Sequence, residues 1–504
     1  MRSAIGGMVV GLVLWAVLGL TGTWAEPPLP VPDVTITGVL TRADHQTYRD
    51  LPFTVPAGVA RLTVTFAYTS QAQRATIDLG LYDPERFRGW SGGNKASFTL
   101  SATDATPSYL AGPIRPGRWR LVLGVPNIRP GATAAYTATI HFARAGEGAA
   151  VSTFSDHPLR PGPAWYRGDL HMHTAHSDGT CPSQGGAMVP CPVFRTLEAA
   201  AARGLDFLVV TDHNTVSQDQ SLRELQPYFD RLLLIPGMEV TTFHGHANVF
   251  GVTEPIDFRA VSADVRGLDA MLAQVERAGG LVAINHPALP SGEACMGCGW
   301  TVPNTDFHRI QAVEVINGGA VAIMGGVADS PLSGLAFWQA RLNAGDRLTA
   351  IGGSDNHAPA TDLARPGSVG SPTTVVWAEN LSERAILAAI RAGHVFVDVE
   401  GSRDRLLEVR AAAGGRVAMM GDDLAAPAGV VARFTIHGGR LAGDRWALIE
   451  DGRAVAALAG GFGSLDDHAD FSLPSDGARH WVRIEVRSAE GRLLLIANPI
   501  YLNH

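Results

Sequence analysis

Three stretches of the chain carry three different patterns of apolar and polar positions. Over residues 33–145, short runs alternate, as in Arg61-Leu62-Thr63-Val64-Thr65-Phe66 and Ala135-Tyr136-Thr137-Ala138-Thr139-Ile140, with Gly, Pro, Asn and Asp between them. Alternation puts every second side chain on one face, so this region is predicted to be an N-terminal β-sandwich. Over 165–398 the runs become continuous: 207–210, 232–235, 281–284, 312–316, 348–351 and 373–377. Helix-like segments over 194–203, 263–278, 335–343 and 382–392 separate them. Strands apolar on both faces need cover on both faces, which predicts an α/β unit with a parallel sheet. Seven or eight such units point to a closed or distorted TIM-like barrel. From 401 to 504 alternation returns, as in Trp481-Val482-Arg483-Ile484-Glu485-Val486, and a C-terminal β-sandwich is expected.

The chemistry lies where the apolar runs of the middle region stop. If 166–172 is a strand, His171 and His173 share a face and make a chelating pair, with Asp178 in the Gly-rich loop beyond. The run 207–210 leads into Thr211-Asp212-His213-Asn214, and 232–235 into Pro236-Gly237-Met238-Glu239. His244-Gly245-His246 precedes another run, 281–284 leads into Asn285-His286-Pro287, and 348–351 into Ser354-Asp355-Asn356-His357. Buried Asp, Glu and His are costly unless paired or coordinated. So many at strand ends converge only around something cationic, which implies a multinuclear metal site.

The ordered series HxH, SDG, TDHN, GxE, GHxNxxG, NHP and SDNH, within about 167–397, resembles the PHP (polymerase and histidinol phosphatase) family of metallohydrolases. Within it the series looks most like an exported branch that includes carbaryl-hydrolase-type enzymes. The resemblance implies a distorted (β/α)7 barrel holding two or three divalent ions, zinc, manganese or iron. It implies that His171, His173, Glu239 and Asp355 hold one metal, and that Glu239 bridges to a second on His246 and His286. Asp178, His213 and His357 would hold the third. Asp178 departs from the pattern, since several relatives have His there. His176 and His244 are spare donors. Mixed imidazole and carboxylate ligands suit such metals better than Mg²⁺ or Ca²⁺. Adjacent ions would give a bridging hydroxide as the nucleophile. Glu239 is then part of the catalytic set, Asp212 is a candidate to orient a ligand ring, and Arg365 a candidate to meet an anionic substrate.

Composition narrows the class without changing it. The 504 residues are 46% hydrophobic and 17% charged, with a formal net charge of −8, so a well-packed globular protein with no basic footprint for bulk nucleic acid is expected. Arg2, the apolar stretch 8–20 and Thr23-Trp24-Ala25 before Glu26 read as a signal peptide over 1–25, so the protein is expected to be exported, periplasmic or secreted, with no membrane contact after cleavage. An uncleaved anchor is the alternative. The four cysteines, Cys181, Cys191, Cys295 and Cys298, allow three pairings. Cys181 with Cys191 and Cys295 with Cys298 is the favoured one, and a zinc held by four thiolates is the alternative.

Three functions stay open. The first is a phosphoesterase acting on a small, anionic ester. The second is a carbamate or carboxylic-ester hydrolase with the same metals. The third is a non-enzymatic exported binding protein, with Trp90, Trp119 and Tyr136 of the first sandwich as possible glycan contacts.

Overall fold

The computed structural model describes residues 31–144, 154–155, 157–262, 265–293 and 295–504, and the expected signal segment lies outside them. The N-terminal region forms two four-stranded antiparallel sheets. One has the order Val34–Leu40, Ala134–Arg144, Val59–Tyr68, Ser97–Ser101; the other Tyr48–Val55, Gly117–Asn127, Thr76–Tyr82, Phe87–Gly92. Leu62, Val64 and Ile140 from the first and Leu79, Leu81 and Leu121 from the second share one buried cluster. Trp119 is fully buried there and donates its ring N–H to the Arg115 carbonyl at 2.9 Å, so it cannot line a glycan groove. Trp90 and Tyr136 sit on different sheets, packed on Tyr48 and Phe66.

This unit is tied to the middle region through buried Asp104, which accepts from Arg61 of its own sheets and from Arg223 beyond them. Those two guanidiniums overcome the cost of burial and hold the Asp104 carboxyl down at about 2.

In the middle region seven strands are neighbours in the order Thr349–Gly353, Ala312–Asn317, Leu281–Ile284, His246–Phe250, Leu233–Thr241, Phe207–Val210, Ala164–Asp169. All pairings are parallel except the two made by His246–Phe250. Each strand places residues in one shared cluster, including Tyr166, Val209, Ile235, Phe250, Ala283, Ala312 and Ile351. The alternate residues Leu208 and Val210 instead meet Val193, Leu197 and Leu222 of the covering helices. That double burial is why these strands read as unbroken apolar runs.

Two of the helices stop where their sequence says they should. Val193–Arg203 ends on Gly204 at φ 86, and Glu383–Ala392 starts on Ser382, whose hydroxyl accepts from the Ala385 N–H, and ends on Gly393 at φ 77.

The strand path does not close as a ladder. Ala164–Asp169 pairs on one edge with Phe207–Val210 and on the other with Thr373–Ala378, which leaves no edge for Thr349–Gly353. The backbones of the two ends of the arc join beyond their strands. There the Asp355 N–H donates to the His171 carbonyl at 2.8 Å and the His173 N–H to the Asn356 carbonyl at 3.0 Å.

The expected boundary near residue 400 is not a break in the sheet. Thr373–Ala378 pairs with Val395–Asp398, which pairs with Leu493–Ala497, and the C-terminal strands continue from there. A separate four-stranded sheet, Arg416–Met419, Leu406–Ala413, Val431–Gly439, Asp466–Pro474, packs on this extension. Val375 and Phe396 share its cluster with Val409, Phe434 and Ile484. No helix among the described residues is long and apolar enough to cross a membrane.

Candidate metal centre

The strand carrying the first ligands ends at Asp169, two residues before His171. The HxH pair therefore lies past the strand, in extended chain where Met172 bridges Asn356. Buried Asp169 fixes this turn: one carboxylate oxygen accepts from the N–H groups of His171 and Ser354, the other from Gly370. Gly353 is required alongside, since a Cβ there would lie 2.4 Å from Glu314 Oε1 and 2.5 Å from His171 Cβ. Asp355 at φ 53 and His286 at φ 26 hold left-handed backbone that is uncommon outside glycine, a feature that clusters at functional sites. On Leu233–Thr241, Met238 and Val240 enter the core while Glu239 between them points the other way, into the centre.

All nine expected ligand residues come together. His171, His173 and Glu239 form one group; His171, His286 and Asp355 a second; His173, Asp178, His213 and His357 a third. A fourth joins His246 and His286 to Cys298, which the sequence pattern does not place there. In each group the donor atoms lie within 4.8 Å of one another.

Glu239 is the hub. Its Oε1 is 3.4 Å from His171 Nε2, 3.2 Å from His246 Nδ1 and 3.6 Å from His286 Nε2; its Oε2 is 3.6 Å from His173 Nε2 and 2.7 Å from His213 Nδ1. Asp355 Oδ1 lies 3.3 Å from His171 Nε2 and 3.1 Å from His173 Nε2. Asp178 is at the rim, 58% exposed, 3.3 Å from His357 Nε2 and 3.8 Å from His213 Nε2.

The charges follow from this crowding. Burial alone would raise Glu239 and Asp355, but the surrounding rings, His171 foremost, hold both carboxyls well below the usual range. Burial would lower His171, yet Asp355, Glu239 and Glu314 hold it well above the ordinary imidazole value. His173 goes the other way: burial dominates and pulls it down.

The donor set fits a metal on one further observation. His171 Nε2, Glu239 Oε2 and His246 Nδ1 are buried and make no hydrogen bond although partners stand close by, and His286 Nδ1 is buried without one as well. Buried polar atoms are nearly always satisfied. Atoms packed together without hydrogen-bond alignment are arranged to converge on a shared cation.

Several supporting residues are absent from the expected set. Glu314 Oε1 is 3.1 Å from His171 Nδ1, and its Oε2 accepts from the His286 N–H and from Asn317 Nδ2, both at 2.9 Å. Its sequence signal is a lone Glu in the apolar run 312–316. Asn317 also donates to Asp355 at 3.1 Å, and Asn285 donates to Glu239 Oε1 at 2.8 Å.

Asp212 does not face a ring. It is fully buried and accepts from the Thr174 N–H at 2.7 Å, the Thr174 hydroxyl at 2.6 Å and the Ser177 hydroxyl at 2.6 Å, so it secures the loop after the HxH pair. Arg365 is exposed, in a turn where its N–H donates to the Asp362 carbonyl. His176 pairs with Ser217 at 2.7 Å, and His244 joins none of the groups. The disulfides join Cys181 to Cys191 and Cys295 to Cys298.

No protein-family model matches this chain, and no curated protein matches it. Solved structures with some likeness include a "putative metal-dependent phosphoesterase" from Bifidobacterium adolescentis, 19% identical, with a TM-score of 0.27, covering 44% of this chain and 96% of that one. Another is the Glycosylation Associate Protein (Gap123) complex from Streptococcus agalactiae, 8% identical, with a TM-score of 0.14, covering 48% and 78%. At these scores neither carries an argument about this chain. The family resemblance rests on the motif series.

Proposed function

We propose that this chain is an exported metal-dependent hydrolase of the PHP type, acting as a phosphoesterase on a small ester. In this reading the seven-stranded arc is a distorted barrel, flanked by two β-sandwich units. The observation that carries the proposal is the convergence of eight His and Asp residues with Glu239, a set in which four buried ligand atoms make no hydrogen bond.

The chain's own residues divide the work. His171, His173, Glu239, His246, His286 and Asp355 would hold two ions in the buried part, and His213, Asp178 and His357 a third at the exposed rim. Bound divalent ions of the zinc, manganese or iron class would supply Lewis acidity and a water of lowered pKa. Glu314, Asn317 and Asn285 fix the donor atoms in place. Asp212 keeps the loop 174–177 against the centre. His213, His357 and Asp178, 27%, 39% and 58% exposed, mark the side from which substrate enters. The two disulfides support an exported setting.

Carbamate or carboxylic-ester hydrolysis is the second reading. It is favoured by one observation: among the described residues the ion pairs of Glu239, Asp355, Asp178 and Glu314 are with imidazoles, so these carboxylates hold no guanidinium in place for a phosphate. The test is turnover of mono- and bis-p-nitrophenyl phosphate beside a p-nitrophenyl carboxylic ester, with His171→Ala as control. Phosphate turnover lost in the variant supports the phosphoesterase; ester turnover alone moves the assignment to the second reading. No turnover of any of them by metal-loaded protein would refute both.

A further inference from the structure

We propose that Cys298 is a redox-gated ligand of the ion that His246 and His286 would hold, an inference that rests on the metal-centre reading above. His246, His286 and Cys298 are 4%, 2% and 1% exposed, and each offers an atom such that the three lie within 4.8 Å of one another. His246 Nδ1, 3.2 Å from Glu239 Oε1, is buried without a hydrogen-bond partner, and His286 turns its Nε2 toward the same carboxylate oxygen at 3.6 Å. Two imidazoles and a sulfur at this spacing are a zinc-type donor set.

The loop that carries Cys298 is seated by contacts independent of its bond to Cys295. The Trp300 N–H donates to the Pro287 carbonyl at 3.0 Å, the Thr301 N–H to the His244 carbonyl at 2.7 Å, and the Gly297 N–H to the Ser291 hydroxyl at 2.9 Å. Gly297, at φ +83, lies so close to the end of Leu233–Thr241 that a Cβ would be 1.9 Å from the Thr242 carbonyl oxygen. His246 Nε2 is 3.2 Å from the Met296 carbonyl oxygen. Opening the disulfide therefore leaves the Cys298 sulfur beside the two rings. Reagents can reach the bond, because Cys295 is only partly buried and Met296 next to it is 72% exposed.

The step balances with a dithiol as reductant. The dithiol closes to its own disulfide, and two electrons and two protons pass to the protein sulfurs, giving two thiols. Cys298 then loses its thiol proton to solvent and its thiolate donates to the ion. As a disulfide, that sulfur is not a thiolate donor; as a thiolate it would stand beside His246 and His286 where a catalytic ion needs room for substrate, so reduction would lower activity.

The test uses cobalt(II) as the probe metal in the full chain, with Cys181→Ser/Cys191→Ser as background so that only one disulfide responds. Reductant is removed anaerobically before cobalt is added, and the near-ultraviolet thiolate-to-cobalt band is read together with bound cobalt. The oxidised protein should bind cobalt without the band and gain it after reduction. Cys295→Ser should show it with no reductant, and Cys298→Ser should never show it. Bound cobalt without a band in both reduced protein and Cys295→Ser would overturn the inference, as would a band surviving in Cys298→Ser. Failure of the oxidised protein to bind cobalt at all would overturn the metal-centre reading itself, and this inference with it.

Discussion

The Nδ1 of His171 lies 3.1 Å from Oε1 of Glu314, and both side chains are sealed from solvent. A carboxylate behind a ligand imidazole fixes its tautomer, turns its Nε2 toward the metal and raises its basicity. Glu314 also accepts from the His286 N–H, so it braces two ligand positions at once. Glu314→Gln should therefore keep the fold and weaken metal binding about 10- to 100-fold, read by competition with a chromogenic chelator. Unchanged affinity would leave Glu314 a packing residue.

Asp178 should matter to only one ion. It stands at the exposed rim with His213 and His357, while the other donors are deeper. Asp178→Asn is expected to lower metal content by about one ion per chain and leave the rest in place, since a neutral amide is a weaker ligand than a carboxylate. Elemental analysis of the purified variant decides it, and loss of all metal would contradict the division into a buried pair and a rim site.

Asp212 acts on a loop. Removing its carboxylate strands three donors, the Thr174 N–H and the hydroxyls of Thr174 and Ser177. Asp212→Ala should cost about 1–3 kcal/mol in a denaturant titration. Ser177 of that loop also stands 3.5 Å from His173 Nδ1, so the variant should weaken binding of the ion His173 would hold as well as lower activity.

How much of this is legible in the sequence depends on what each residue answers to. Strands 207–210 and 281–284 match their apolar runs because both faces are buried, and double burial is written in composition. That the nine His, Asp and Glu positions converge is legible because such residues at the ends of buried strands are costly unless something gathers them. Glu314 is harder to see because it sits inside a strand rather than at its end. Adjacency to His213 suggests a ring as the partner of Asp212, while its actual partners are 35 and 38 residues away. The open strand path and the continuity past residue 398 depend on which edges pair, and the apolar pattern of one strand does not say who its neighbour is. Cys298 reaches the centre through a loop whose course depends on a glycine contact and on hydrogen bonds distant in sequence.

Glu383 gives a pH prediction away from the metals. It is buried at the start of its helix, and burial outweighs Arg223 and Arg61 to push its carboxyl up to about 8. An acid with a raised folded pKa keeps its proton in the native state where the unfolded chain has lost it. Its contribution is therefore most favourable below about 4.5, its unfolded value, and is progressively lost as pH rises to about 8. Glu383→Gln removes this loss. The variant should match the parent at pH 4 and be more stable at pH 8, by about 2–5 kcal/mol in urea unfolding at the two pH values. Equal stability at pH 8 would show that Glu383 ionises freely in the fold.

The central claim is that the cluster around Glu239 is a metal centre, and the most direct test is metal content. Purified protein, reconstituted with zinc or manganese and freed of excess, should carry two or three ions per chain by elemental mass spectrometry. Glu239→Gln, which removes the shared carboxylate, should lose the buried pair. Protein that stays metal-free after reconstitution, or a Glu239→Gln variant with unchanged metal content, would contradict the account.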